Sequence, residues 1–451
     1  MSKVKIGEIT DSCLGKMLDA EKNKGEYAPY LANINVRWGS FDVENLSEMR
    51  FEENEQERYG LKDGDLVMCE GGEPGRCAIW HDQIPNMKIQ KALHRIRPHD
   101  NVDIRWLYYW FLLYGRHHFL DRFFTETTIK HLPGDKLKEI ELELPEKKVQ
   151  TAIADVLTSL DIKIEHNLCV CAELESMAKT LYDYWFVQFD FPDENGQPYR
   201  TNGGEMKYCK TLRREVPKLW EIKPLPEVAS LQYGFPLSTE LFSTDGANVV
   251  RIRDIMDNSI SALTNEKVGN EYLTRENDLL VGMDGNFQMN YWTRNGDVVN
   301  QRITRIRKKE LPMMLVKMQI EPYITAKVST VARSTVGHLG DADFSNQLIL
   351  VPDKLDTSVF DVILDKIVSL RKENHQLADL RDWLLPMLMN GQAKVVDAKK
   401  EETPIAEETA TSIDDPRFVS WLNTMGLAAR GTVDRQTLHD IFDAMDEDDK
   451  Q

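Results

Sequence analysis

Residues 144–192 read LPEKKVQTAIADVLTSLDIKIEHNLCVCAELESMAKTLYDYWFVQFDFP, with no glycine or proline between Pro145 and Pro192. Proline suits the first turn of a helix, where its missing N–H costs nothing. Apolar residues follow at Val149, Ile153, Val156, Leu160, Ile164, Leu168, Cys171 and Leu174. Steps of three and four place them on one helical face. About 40 residues at roughly 1.5 Å each make a rod of roughly 60 Å, too long for an ordinary globular helix. A rod with one apolar seam needs a partner. Residues 351–391 supply one, again led by proline, with a seam at Phe360, Ile363, Ile367, Leu370, Leu377, Leu384 and Leu388. Two helices of one core would fit the pattern too, but the length of both favours a helix pair acting as a spacer.

Each helix closes a repeated unit. Glu8, Gly15, Leu31, Asn35 and Val36 meet Glu227, Gly234, Val250, Asp254 and Ile255, all 219 residues later. Asp65-Leu66-Val67 meets Asp278-Leu279-Leu280 at 213, and Trp80 meets Trp292 at 212. Thr128, His131 and Leu132 meet Thr335, His338 and Leu339 at 207, and Pro145 meets Pro352 at the same offset. In-order blocks with a falling offset predict a duplicated unit whose second copy has shorter loops.

Each unit reads as a mixed α/β domain followed by its long helix. Residues 65–69 and 78–80 read as strands around the Gly-rich turn GGEPGR, and 104–124 as an aromatic helix, mostly core. Residues 191–225 form a Pro/Gly/Asn-rich connector. From 393 the chain turns acidic, a linker ahead of Phe418, Val419, Trp421, Leu422, Leu438, Ile441 and Phe442, a small helical module or docking peptide. The expected fold class is α+β: two mixed α/β domains separated by a pair of long antiparallel helices in a coiled coil, an internal repeat with a pseudo-twofold axis.

Composition sets outer bounds. A chain of 451 residues holds two or three domains. No apolar run approaches 18 residues, so no membrane span is expected, and the first residues lack the apolar core of a signal peptide. Six cysteines without a CxxC pair read as reduced thiols in a cytoplasmic protein. The net charge of −18 opposes nucleic-acid binding. It is unevenly spread, since residues 397–451 hold 14 acidic and 6 basic residues, a net −8.

The motifs of common enzymes are missing. GGEPGRC lacks the Gly-Lys-Ser/Thr ending of a phosphate loop, and there is no GxGxxG after a strand. Neither GxSxG nor HExxH occurs, nor the Asn/Asp-Pro-Pro-aromatic tetrapeptide of amino-methyltransferases. The acidic end DAMDEDDK lacks the central Gly and last Glu of a calcium loop. The expectation is a non-catalytic binder with no metal or cofactor of its own.

Five basic residues fall within eight positions at Arg302, Arg305, Arg307, Lys308 and Lys309. Arg95 and Arg97 recur in the first unit beside His94, and Arg76 ends the Gly-rich turn. Alternation forbids one common direction, so a strand edge plus turn is expected; a solvated strand is the plain alternative. Arginine suits bidentate contact with phosphate or guanine, so the recurrent Arg-Ile-Arg favours DNA. Lys130 and His131, with Thr128, and His338, with Thr335, form a second recurrent cluster that could equally be a turn leading into the helix. If the long helices pack antiparallel, the two domains sit at opposite ends of the rod. Such a molecule matches two unlike half-sites of double-stranded DNA at a fixed gap.

The central block is the most specific signal. LYDYWFVQFDFP (181–192), Asn195-Gly-Gln-Pro-Tyr199, Gly203-Gly204-Glu-Met206 and Val216-Pro217-x-x-Trp220 resemble the central region of type I restriction–modification specificity subunits. Leu380-Arg-Asp-Trp-Leu-Leu-Pro386-x-Leu-x-x-Gly391 is similar to that family's distal repeat, and Leu144-Pro145 with Gln150-x-x-Ile153 to its helix-start motif. The second helix departs, with Asp356–Phe360 in place of Gln-x-x-Ile. The resemblance covers 1–395 and implies target recognition domains at 1–144 and 226–351, spacer helices at 145–190 and 352–392, and the connector between. It also implies two methyltransferase subunits and restriction/translocase subunits as partners, which would carry S-adenosylmethionine, ATP and Mg. The competing expectation is a structural adaptor whose rod joins two proteins without DNA.

Overall fold

The computed structural model describes residues 2–19, 23–125, 130–330 and 337–395. The small C-terminal module expected beyond 395, Thr128 and Thr335 lie outside the described residues. The described residues divide into two compact units, one of residues 2–163 with 377–395 and the other of Ile164–Gln376.

In the first unit, Ser2–Lys5 pairs antiparallel with Glu141–Leu144 and turns into the short helix Ile6–Ile9. The main sheet is antiparallel, in the order Thr10–Leu14, Leu93–Pro98, Leu66–Cys69, Cys77–Ile79. Every residue of Leu66–Cys69 is buried, as the unbroken apolar run LVMC requires. A smaller sheet joins Ser47–Phe51, Glu26–Leu31 and Lys88–Ile89, the last pair parallel. The aromatic helix spans Ile104–Arg116, started by the Asp103 side chain accepting from the Arg105 N–H. It stops before His118, whose φ of 60° leaves the helical region. Residues 106–113 are all buried, so this helix is core on every side.

The second unit has the same frame. Glu221–Pro224 pairs with Leu348–Val351 and leads into the short helix Leu225–Val228. Its main sheet runs Ala229–Tyr233, Ile303–Lys308, Leu279–Gly282, Met289–Tyr291. Its smaller sheet runs Phe242–Ser243, Ala262–Thr264, Ala247–Val250, Val298–Val299, again with a parallel last pair. Gly15 and Gly234 serve one purpose in both. A Cβ would meet the carbonyl oxygen of Gln90 at 2.4 Å in the first unit, and that of Asn300 at 1.9 Å in the second.

The long helices span Lys147–Tyr182 and Val359–Met389, 36 and 31 residues, about 54 and 46 Å. A π-helical turn, Asp183–Val187, extends the first. In the first unit Ile153, Ala154 and Leu157 share a core with Leu385 and Leu388, and Arg381 Nη1 reaches Asp161 Oδ1 at 2.7 Å. In the second unit Asn167 Nδ2 meets Asn374 Oδ1 at 2.8 Å, and further along Trp185 meets Phe360 with ring centroids 5.9 Å apart. The two segments therefore run in opposite directions there. Val149 and Leu168 depart from the expected seam and are exposed. Their polar neighbours Gln150 and Asn167 point inward instead, because each finds hydrogen-bond partners: Gln150 Oε1 accepts from Asp103 N at 2.9 Å and its Nε2 donates to Pro145 O at 2.8 Å.

Residues 191–225 are folded into the second unit rather than forming a loose link. Phe189, Phe191 and Trp220 are buried; Phe191 stacks on Trp220 and Tyr199, and Phe189 meets Trp220 edge-on, beside a hairpin of Met206–Cys209 and Arg214–Pro217. Among the described residues no helix is long and apolar enough to cross a membrane.

Candidate nucleic-acid interface

The recurrent Arg-Ile-Arg lies on Leu93–Pro98 and Ile303–Lys308, each paired on both sides within its sheet rather than at an edge. Arg97 grips Asp65 with two bonds, Nε to Oδ1 and Nη2 to Oδ2, both 2.7 Å. Arg307 grips Asp278 in the same way at the same distances. Both carboxylates are 1% exposed, and each also accepts from a backbone N–H three residues earlier, Lys62 or Arg275. The bond to Asp65 holds the proton on Arg97 more tightly than usual. Arg95 Nη1 donates to the carbonyls of Glu57, Arg58 and Gly60; Arg305 Nη1 donates to those of Glu271 and Leu273. Burial and the neighbouring Arg307 lower the affinity of Arg305 for its proton.

These four guanidiniums bind their own units. The expectation that they face phosphate is corrected: Arg-Ile-Arg recurs because both sheets use it to fasten the loop before a core strand. Breaking such a pair, with one edge of each guanidinium in water, costs about 2–4 kcal/mol. Lys308 is also engaged, its Nζ 2.6 Å from Asp361 Oδ2 on the second long helix.

The remaining candidates gather at one hairpin loop in each unit. In the second unit this loop follows Leu279–Gly282. His338 forms a backbone bridge to Asp284 there, and Leu339 N donates to Met283 O at 2.8 Å. Asp284 Oδ1 accepts from His338 Nδ1 at 2.7 Å and its Oδ2 lies 3.8 Å from Arg302 Nε. Arg302 Nη1 is 3.5 Å from both ring nitrogens of His338. The Arg302 and His338 side chains are 55% and 46% exposed. Arg302 holds a φ of 71°, which is strained for a side chain of this size. One carboxylate thus orients two exposed donors drawn from separate segments. A planar Arg fork beside a ring nitrogen suits guanine or phosphate oxygens.

The first unit places His131 on the matching loop, bridged to Gly71, with Leu132 N donating to Glu70 O at 2.7 Å. A Cβ on Gly71 would stand 2.8 Å from His131 Nδ1, so a side chain there would displace this ring. Arg76 closes the loop, with Nη1 on Glu73 at 2.7 Å and Nη2 on Asn33 Oδ1 at 3.0 Å. Lys130 reaches Asp121 at 3.1 Å. Asp284, Glu73 and Asn33 were not singled out from sequence; an acid beside a Gly turn was the available signal for the first two. Asp65 and Asp278 were visible as a recurring Asp-Leu pair, but not as the partners of Arg-Ile-Arg.

Residues 1–175 match the family model described as the type I restriction modification DNA specificity domain. The chain is 25% identical over 329 residues to the type I restriction enzyme MjaIX specificity subunit of Methanocaldococcus jannaschii, covering 68% of this chain and 73% of that one. It is 22% identical over 405 residues to the HindI specificity subunit of Haemophilus influenzae, covering 75% and 88%. The crystal structure of a type I restriction–modification S subunit from M. genitalium aligns with a TM-score of 0.48 at 16% identity, over 86% of this chain and 95% of that one.

Proposed function

We propose that this chain, whose residues 1–175 match the type I restriction modification DNA specificity domain model, is the non-catalytic DNA-reading subunit of such a system, and that its two units read the two halves of a bipartite target. One observation carries the two-reader reading: the frame recurs in both units and the reading loop does not. Both sheets have the same strand order and the same Arg–Asp fastening. The loop at the same place holds Arg76, Glu73 and His131 in one unit and Asp284, Arg302 and His338 in the other. Equal frames with unequal loops give unlike half-sites.

The long helices act as an antiparallel coiled-coil spacer in this reading. Asn167 and Asn374 are 207 residues apart, the offset that relates Pro145 to Pro352, and they touch. Equivalent residues in contact are what a local twofold axis through the pair would give. The partners are two methyltransferase subunits and, for restriction, translocase/nuclease subunits; S-adenosylmethionine, ATP and Mg belong to them. A chain of net charge −18 binds phosphate weakly by itself, and the partners supply further cations. Expressing the chain with methyltransferase subunits and sequencing methylated adenines tests this. A split motif that vanishes without this chain is expected. No motif, together with no retarded duplex, would overturn the proposal.

A further inference from the structure

The hairpin Met206–Cys209/Arg214–Pro217 has no part in the reading loops. Residues 207–214 are KYCKTLRR, four cations and no acid, on a chain of net charge −18. The hairpin is anchored from below. Val216 is buried, Lys207 Nζ donates to Trp220 O at 2.8 Å, and Arg214 donates to Phe186 O at 3.3 Å while lying over the Phe189 ring. Leu212 N donates to Cys209 Sγ at 3.3 Å and closes the tip. The flanking acids are engaged, Glu215 with Arg200 and Glu205 with Lys218.

The tip itself is uncommitted. Lys210 and Arg213 are exposed and have no ion pair or side-chain hydrogen bond among the described residues. Arg213 keeps a φ of 52°, a conformation that costs about 1 kcal/mol or more outside glycine. Tyr208 stands on the outer face 65% exposed. A rigid tip with unpaired cations and an upright aromatic ring suits a rigid anionic ligand.

We propose that this hairpin grips the phosphodiester backbone of double-stranded DNA, a sequence-independent clamp separate from the reading loops. The proposal rests on the DNA-reading function above. Phosphate contacts position a protein and do not specify sequence, so the clamp adds affinity for any duplex. Each phosphate neutralised releases counterions and steepens the dependence of log K on log salt by about 0.9.

The test uses the full chain assembled with its methyltransferase subunits. Lys210→Gln/Arg213→Asn removes both charges, and Asn tolerates the positive φ. Binding to a target duplex and to an unrelated duplex is measured across salt. The expected result is a slope shallower by about two, equal loss of affinity for both duplexes, and an unchanged methylated motif. An unchanged slope in a complex that still binds DNA overturns the clamp, and so does lost subunit assembly at unchanged slope, which would make the tip a protein contact. Failure of the unsubstituted complex to bind either duplex would instead overturn the DNA-reading function.

Discussion

The two units share a skeleton and differ where they meet solvent. Arg97 on Asp65 and Arg307 on Asp278 have bonds of the same length, 2.7 Å. Gly15 and Gly234 allow the same close approach. Yet Arg76 in the first unit is closed in by Glu73 and Asn33, its side chain 19% exposed, while Arg302 in the second reaches outward. The difference separates two kinds of recurrence. Residues that repeat in type and partner build the frame, and loop residues without a counterpart in the other unit are free to set specificity. A basic motif found twice is therefore not by itself a binding motif.

The sharpest way to break this comparison is to remove the shared fastening. Asp65→Ala strands Arg97, and Asp278→Ala strands Arg307. Uncompensated buried charge costs about 3–5 kcal/mol, reduced here to about 2–4 because each guanidinium keeps one edge in water. Hydrogen exchange reports where the loss falls. Asp65→Ala should lower protection of the Leu66–Cys69 amides, and Asp278→Ala that of Leu279–Gly282. Arg307→Ala should behave like Asp278→Ala rather than as a pure binding defect. Full protection in either variant would remove the fastening role.

A smaller effect separates the loops. If each unit reads one half-site as proposed, Arg302→Ala should relax base choice in the half-site of the second unit and leave the other unchanged. A good Arg–base contact is worth about 1–3 kcal/mol of discrimination, roughly 10- to 100-fold. Methylated-adenine sequencing reads both halves at once. Loss at both halves from a single substitution would mean that the loops do not read independently.

Part of the frame was legible in the sequence, because like residues recur in order. The falling offset placed Gly15 against Gly234 and Asp65 against Asp278, and the three- and four-residue steps located both long helices. The strands beside GGEPGR also stand as read, at Leu66–Cys69 and Cys77–Ile79. Partner identity was not legible. Arg97 and Asp65 are 32 residues apart, and only sheet pairing brings them together; from composition alone the same arginine suits phosphate equally well. The connector misled for a similar reason. Its prolines and glycines read as a link, but Phe189, Phe191 and Trp220 form an aromatic cluster that outweighs them. Polar seam positions were hidden too, since Gln150 and Asn167 break the apolar rule that found their helix.

Asn167 offers the finest test, because it pairs with the residue 207 places later, the offset that relates Pro145 to Pro352. It is 1% exposed, and its Nδ2 donates to both Asn374 Oδ1 at 2.8 Å and Glu373 Oε2 at 2.7 Å. Asn374 Nδ2 in turn reaches Ile164 O at 3.3 Å. A buried amide pair in an apolar helix seam favours one register over its neighbours, at some cost in stability. Asn167→Leu alone leaves Asn374 short of a partner and should destabilise by about 1 kcal/mol; Asn374→Leu should do the same. The double substitution replaces both amides by matching apolar groups, so its effect should be smaller than the sum, with a coupling of about 0.5 kcal/mol or more. Denaturant unfolding of the four chains measures this. Strict additivity would show that the two amides act separately, and with it would go the support for an axis passing between them.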